Sequence, residues 1–298
     1  MEITTHTLQS AFIGFNASFQ AGLAEATSMY GRIATTVSST TRSNEYGWLG
    51  KFPGFRKWVG DRVVNNLAKH GYTLTNESYE NTIAVDRDDF DDDNLGIYGP
   101  MFRDLGATAT VFPDTLIWPL LKNGFSELCY DGQPFFDLEH PVLDEKGKEI
   151  LVANTDGGAG TPWFLLDTSR PLKPLIYQER RSFQNLVRMD KEDDPNVFNR
   201  KEYQYGLDGR CQVGFGFWQM GWGSRQTLDV AHYEAARLGL MSLKSDYGRP
   251  LAIMPKLLVV PPSLESAALK IINTQFIDGG NSNPWYHTAE ILVVPWLA

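Results

Sequence analysis

The sequence predicts an α+β fold with extended appendages, and three observations predict it. Apolar residues recur at helical spacing in three separate stretches, near 101–112, 228–243 and 264–272. Strand-like runs stand apart from them: Leu257-Leu258-Val259-Val260, Ile291-Leu292-Val293-Val294 and the glycine-aromatic stretch from Tyr203 to Trp222. A long extended excursion occupies residues 31–85, with aromatic and basic residues at its tip. At 298 residues and 42% hydrophobic content, the chain has material for one large domain or two modest ones.

Residues 1–30 read as a weakly amphipathic arm. Phe12, Phe15 and Phe19 fall at helical spacing, with Leu8 one turn earlier. Gly14 and Gly22 weaken this helix, so it is expected to need a partner surface. The next stretch reads as extended, because Arg32 to Thr41 is rich in Thr, Ser, Val and Ile. Gly47, Gly50, Pro53 and Gly54 mark a turn region that also carries Tyr46, Trp48, Phe52, Phe55 and Trp58. The chain returns through Tyr72-Thr73-Leu74-Thr75 and Thr82-Ile83-Ala84-Val85. A two-stranded excursion is marginal in water by itself, so its apolar tip is expected to be covered.

Gly99-Pro100 opens a helix whose Met101, Phe102, Leu105, Ala109 and Phe112 share one face. Pro113 is expected to break or kink it, leaving a second piece from Asp114 to Asn123. Residues 125–160 are loop-rich, and strand-like runs follow at 163–166 and 175–177. From Tyr203 to Trp222 glycines alternate with aromatics, as in a long strand with bulges or close backbone contacts. Thr227 is expected to cap a helix over about 228–243. Pro261-Pro262-Ser263 should cap another, with Leu264, Ala267, Ala268, Ile271 and Ile272 on one face.

Charge is sorted into blocks. From Arg42 to His70 there are six basic residues, Arg42, Lys51, Arg56, Lys57, Arg62 and Lys69, opposed only by Glu45 and Asp61. Residues 86–93 then hold six aspartates in eight positions. Such sorting suits a chain that meets copies of itself, basic arm on acidic knot; two solvated faces are the alternative. The net charge of −9 argues against a sequence-independent grip on nucleic acid. Cys129 and Cys211 lack CxxC spacing and read as reduced, partly buried thiols. Neither a secretory signal nor an apolar run long enough to span a bilayer is expected.

Chemistry-bearing patterns are sparse. The five histidines include no second histidine at metal-ligand spacing, and Asp137-Leu138-Glu139-His140 reads as a structural or solvated loop. The aspartate knot lacks the glycine and glutamate placement of a calcium loop. Gly157-Gly158-Ala159-Gly160 lacks the lysine-serine ending of a phosphate loop, and Ser224 does not sit in a nucleophile elbow. Carboxylates are plentiful, but none stands out as a glycosidase pair. No catalytic residue, cofactor or metal is expected, which shifts weight toward a structural protein.

Several motifs in order resemble the Mu-like prophage major head subunit family. They are Tyr30-Gly31-Arg32-Ile33-Ala34, Tyr46-Gly47-Trp48-Leu49-Gly50, Gly60-Asp61-Arg62, Cys129 to Asp137, Thr161 to Pro171, Tyr205 to Arg210, Asn283-Pro284-Trp285 and Val293 to Leu297. The resemblance covers essentially the whole chain.

It implies the HK97-type capsid fold. Its parts would be an N-terminal arm at 1–30, an extended loop at 31–85, a peripheral domain at 86–225 with a spine helix at 94–123, and an axial domain at 226–298. Many copies would form hexamers and pentamers of an icosahedral shell enclosing double-stranded DNA. Portal, scaffold and decoration proteins would be partners, with no membrane, no cofactor and no enzyme activity. The product would be a virion capsid assembled in the bacterial host cytoplasm. Trp48, Phe52, Phe55 and Trp58 would bury on a neighbouring subunit while Arg56, Lys57 and Arg62 face Asp89, Asp91 and Asp92. Two other readings are an encapsulin-like nanocompartment and, from another class, a carbohydrate-active enzyme.

Overall fold

The computed structural model describes residues 3–47, 49, 71–92, 94–277 and 279–298. Helix α1 (Thr5–Glu25) starts at a reciprocal cap: the Thr7 N–H donates to the Thr4 hydroxyl at 3.2 Å, and the Thr4 N–H donates to the Thr7 hydroxyl at 2.9 Å. Its Leu8, Phe15 and Phe19 are buried, as the spacing predicts. Strands β1 (Ala34–Ser38), β2 (Ser43–Glu45), β3 (Thr73–Thr75) and β4 (Glu77–Asp86) follow, then helices α2 (Arg87–Asp91) and α3 (Tyr98–Lys122).

Of the break or kink expected at Pro113, the break does not occur: helix α3 runs unbroken through Pro113 and Pro119. A proline inside a helix costs about 3 kcal/mol. Here Phe102, Ile117, Trp118 and Leu121 are fully buried along the same helix, and each such side chain stabilises by roughly 1.5–3 kcal/mol. Packing on both sides of the prolines therefore outweighs the lost hydrogen bonds. Asp114, buried one position later, accepts from the Met29 N–H at 3.0 Å and from the Trp118 indole at 2.9 Å. It pins the segment between α1 and β1 to the helix.

The remaining elements are β5 (His140–Leu143) and β6 (Glu149–Val152), which form a hairpin, then β7 (Thr155–Gly158), β8 (Trp163–Leu166), β9 (Leu175–Arg181), β10 (Val187–Met189), α4 (Pro195–Arg200) and β11 (Glu202–Phe215). After them come β12 (Gly221–Arg225), α5 (Val230–Met241), β13 (Lys244–Ser245), β14 (Arg249–Pro250), β15 (Leu257–Val260), α6 (Glu265–Ile272) and β16 (Glu290–Val293). The cap of α5 is Asp229, whose carboxylate accepts from the His232 N–H at 2.9 Å, in place of the expected Thr227.

Two five-stranded sheets organise the chain. In the first, β1, β9, β11 and β10 lie side by side, and β4 runs along the other edge of β11. Strands β1 and β4 do not pair with each other; among the described residues the strands of the excursion that pair with one another are β2 and β3. The second sheet has the order β16-β15-β8-β12-β7. The expected axial boundary at 226 therefore cuts through one sheet, because β7, β8 and β12 share it with β15 and β16. Non-local strand pairing decides this, and periodicity is silent about it. One core lies between the second sheet, the C-terminal half of α3 and the helices α5 and α6. A smaller one joins α1, the N-terminal half of α3 and the aromatics Phe90, Tyr203 and Tyr205. Among the described residues no helix is long and apolar enough to cross a membrane.

Candidate functional site

The root of the excursion is held by buried polar side chains. Gln178, fully buried on β9, accepts from the Tyr46 hydroxyl at 2.7 Å. Its amide N–H donates to Asn76 Oδ1 at 2.8 Å and to the Leu74 carbonyl at 3.2 Å. Asn76 in turn donates to Ser39 Oγ at 2.9 Å and to the Thr41 carbonyl at 3.0 Å. Burial pushes the Tyr46 hydroxyl up to about 12, which keeps it a donor. Both feet of the excursion are thereby tied to one strand of the first sheet. Sequence reading missed this network, because an isolated Gln or Asn in a strand carries no local mark of burial.

Replacing Gln178 by leucine strands the Tyr46 hydroxyl, Asn76 Oδ1 and the Leu74 carbonyl without that partner. Unsatisfied buried groups cost about 1–3 kcal/mol. Urea unfolding of Gln178→Leu should show a loss of about 1–2 kcal/mol, and amide exchange should accelerate first in β2 and β3. Unchanged protection there would remove the network from any role in holding the root.

The aspartate knot is not uniform. Asp86 caps α2 by accepting from the Asp88 N–H at 2.9 Å. Phe90 is fully buried and meets Tyr203 edge-on at 4.8 Å between ring centroids, which anchors the short helix to β11. Asp89 turns inward, accepting from the Tyr98 hydroxyl and from Asn94 Nδ2 at 3.1 Å. The Tyr98 hydrogen bond, with Asn94 second, holds its carboxyl below the usual range. Of the three expected contact acids, Asp89 is thus engaged within its own chain. Asp91 and Asp92 are exposed, as is Asp88, which lies 3.6 Å from the Lys201 ammonium.

Helix α1 lies on α3 of the same chain. A Cβ added at Gly22 would sit 1.9 Å from the Arg103 carbonyl oxygen, and one at Gly106 would sit 2.1 Å from that of Phe19. Helices α1 and α3 therefore cross backbone to backbone at this glycine pair. Phe15 stacks on Phe102 at 4.4 Å beside the crossing, and an exposed Arg103–Glu25 ion pair flanks it. The partner surface expected for the arm is supplied by the same chain.

Trp48, Phe52, Phe55, Arg56, Lys57, Trp58 and Arg62 lie outside the described residues. Both cysteines are buried rather than partly buried, and neither is in a disulfide.

Comparison with known proteins gives a consistent match. The family model "Mu-like prophage major head subunit gpT" matches residues 8–297. The major capsid protein of Escherichia phage Mu is 41% identical over 306 aligned positions, covering all of both chains. A subunit in the procapsid of bacteriophage JBD30 superposes with a TM-score of 0.88 at 45% identity, covering 99% of this chain and all of that one. A subunit in the JBD30 capsid decorated with minor capsid protein trimers superposes with a TM-score of 0.75 at 33% identity, covering 94% of each chain.

Proposed function

We propose, since this chain belongs to the Mu-like prophage major head subunit gpT family and is a major capsid protein of a Mu-like phage, that it works by repeated self-contact alone. Hexamers and pentamers of the subunit build a closed icosahedral shell, and no catalysis is needed for that task. The observation that carries this reading is the likeness to the JBD30 procapsid subunit along nearly the whole chain. In the capsid vocabulary, residues 1–30 serve as the arm and 31–85 as the extended loop. The spine is α3, within 94–123. The peripheral region takes the first sheet, and the axial region takes 226–298 together with β7, β8 and β12.

The loop acts outside its own subunit. Its root is held by the buried Gln178–Asn76 network, and the sequence between the two feet carries aromatics and cations suited to seat on a neighbour. The exposed carboxylates of α2 are the matching surface. Exposed ion pairs contribute about 0–1 kcal/mol each, so they set register more than strength. Weak contacts let misplaced subunits leave a growing shell.

Double-stranded DNA is enclosed through non-specific contact, which the net charge of −9 keeps weak. A portal, a scaffold and a decoration protein are the further partners, the last by analogy with the decorated JBD30 capsid. Assembly takes place in the bacterial host cytoplasm and the product is the virion capsid. An encapsulin-like shell and a carbohydrate-active enzyme are not favoured, since the whole chain matches phage head subunits.

Negative-stain electron microscopy of the purified protein tests this reading. Closed particles or capsomer rings are expected. A preparation of monodisperse monomers at every concentration and salt tried would overturn it, and shells packed with a cargo protein would move it to the nanocompartment class.

A further inference from the structure

We propose that Cys129, Asp131 and His140 form a buried binding site for one zinc ion in each subunit. The expectation for His140 was a structural or solvated loop with Asp137 and Glu139 beside it. The structure instead brings His140 to a different set of side chains.

The chain between Cys129 and Gln133 closes a tight loop. The Cys129 N–H donates to the Gln133 carbonyl at 2.8 Å, and the Gly132 N–H donates to the Cys129 carbonyl at 3.1 Å. Gly132 has φ +86, which a side chain would disfavour. This turn places the Cys129 Sγ 3.0 Å from Asp131 Oδ1. His140, the first residue of β5, brings Nδ1 to 2.7 Å from Asp131 Oδ2. One ligand atom from each of the three residues lies within 4.8 Å of the others. His140 is fully buried, and its ring stacks on Trp218 at 3.9 Å between centroids.

The hydrogen bonds around His140 decide its tautomer. Asn154 is fully buried, and its Nδ2 faces the carbonyls of Phe135, Gly221 and Trp218 at 2.8, 3.1 and 3.2 Å. That fixes Oδ1 on the opposite side, where it accepts from the Asp137 N–H at 2.9 Å. His140 Nε2 lies 3.2 Å from the same oxygen, so Nε2 carries a proton. Nδ1 of a neutral ring then presents a lone pair to a carboxylate oxygen. Two lone pairs at that separation repel unless a cation stands between them.

At 2.7 Å a proton fills that place; a metal ion takes it when the two atoms part to roughly 3.3 Å, the spacing that bonds of about 2.0–2.2 Å at tetrahedral angles require. The thiol on the other carboxylate oxygen favours a borderline metal, because hard cations such as calcium and magnesium take oxygen ligands. Zinc takes sulfur at about 2.3 Å and nitrogen or oxygen at about 2.0–2.2 Å. A ligating histidine that donates its other N–H to a fixed acceptor is the usual outer-shell arrangement, and Asn154 provides it. Binding releases the thiol proton and any proton shared by His140 and Asp131, leaving a thiolate, a neutral imidazole and a carboxylate on the metal. The ion would tie the loop after the spine to the start of the β5–β6 hairpin.

The test uses the full chain, stripped with a chelator and then loaded with zinc sulfate. One zinc per chain should remain after desalting, and the loaded protein should melt higher than the stripped one. Cobalt loading should give a thiolate-to-cobalt charge-transfer band. Cys129→Ser should abolish the band and the bound zinc, whereas Cys211→Ser should leave both intact. Zinc content at background in the folded wild-type chain, which would leave a proton between His140 and Asp131, overturns the proposal. So does zinc retention that Cys129→Ser leaves unchanged, since that marks adventitious surface binding. If Cys129→Ser does not fold, the wild-type stoichiometry and cobalt band decide alone.

Discussion

Reversing Arg56, Lys57 and Arg62 together to glutamate is expected to abolish shell assembly while leaving the subunit folded. The three residues lie in the basic block that precedes the aspartate knot. Each exposed pair contributes about 0–1 kcal/mol, and reversal turns attraction into repulsion of similar size. Three reversals therefore weaken one contact by roughly 1–4 kcal/mol, which is about five- to a thousand-fold in its equilibrium constant. A closed shell repeats that contact in every subunit, so a modest change per contact stops closure. The measurement is particle yield by sedimentation, with circular dichroism to confirm folding.

The acidic half supplies a stricter control. Among the described residues of the knot, Asp86, Asp88, Asp91 and Asp92 are exposed, Asp86 caps α2, and Asp89 is held by Tyr98 and Asn94. Reversing Asp91 and Asp92 to lysine should also block assembly, whereas Asp89→Asn should act through local stability. Combining the basic and acidic reversals should restore particles in part. Normal shells from the triple basic variant, or no recovery in the combination, would sink the pairing of these two blocks. High salt should weaken wild-type assembly in the same direction, since exposed charges are screened beyond about 8–10 Å at physiological ionic strength.

What the sequence made legible, and what it hid, follows from the range of each interaction. The helical face of Phe102 and Leu105 rests on local periodicity and is present; the long strand expected from Tyr203 to Trp222 is present as Glu202–Phe215 and then broken by a turn at Trp218–Met220 before β12. The expected break at Pro113 failed because a local penalty met non-local burial at Ile117, Trp118 and Leu121. Six aspartates look alike in sequence, yet it is the Asp89 carboxylate that accepts from the Tyr98 hydroxyl, and that contact depends on how α2 docks through Phe90. Gln178, Asn76 and Asn154 left no local signal, since each acquires its partners from strands far away in the chain. The division into two sheets was hidden for the same reason.

The sharpest stability contrast is expected between glycines of the same helix–helix unit. Gly106→Ala should destabilise the subunit by about 1–3 kcal/mol, the usual cost of overpacking. Alanine raises helix propensity by about 1 kcal/mol over glycine, which acts in the other direction. Sterics win here because the added carbon meets the Phe19 carbonyl oxygen at 2.1 Å, and backbone in a helix cannot rotate away. The helices must separate, and separation loosens Phe15 and Phe19 from Phe102 and Leu105. Gly22→Ala should behave alike, since its added carbon would meet the Arg103 carbonyl oxygen. The double variant should cost less than the sum, because helices already parted by one methyl accommodate the second. Gly14, also in α1, has nothing within 4 Å of its would-be Cβ, so Gly14→Ala should stabilise by roughly 0.5–1 kcal/mol. Urea midpoints at constant slope measure all four variants. A shift of the same sign at Gly14 and Gly106 would mean that the arm is not seated on its own spine in solution. Opposite signs would place the arm–spine crossing in the free subunit, before any neighbour contributes.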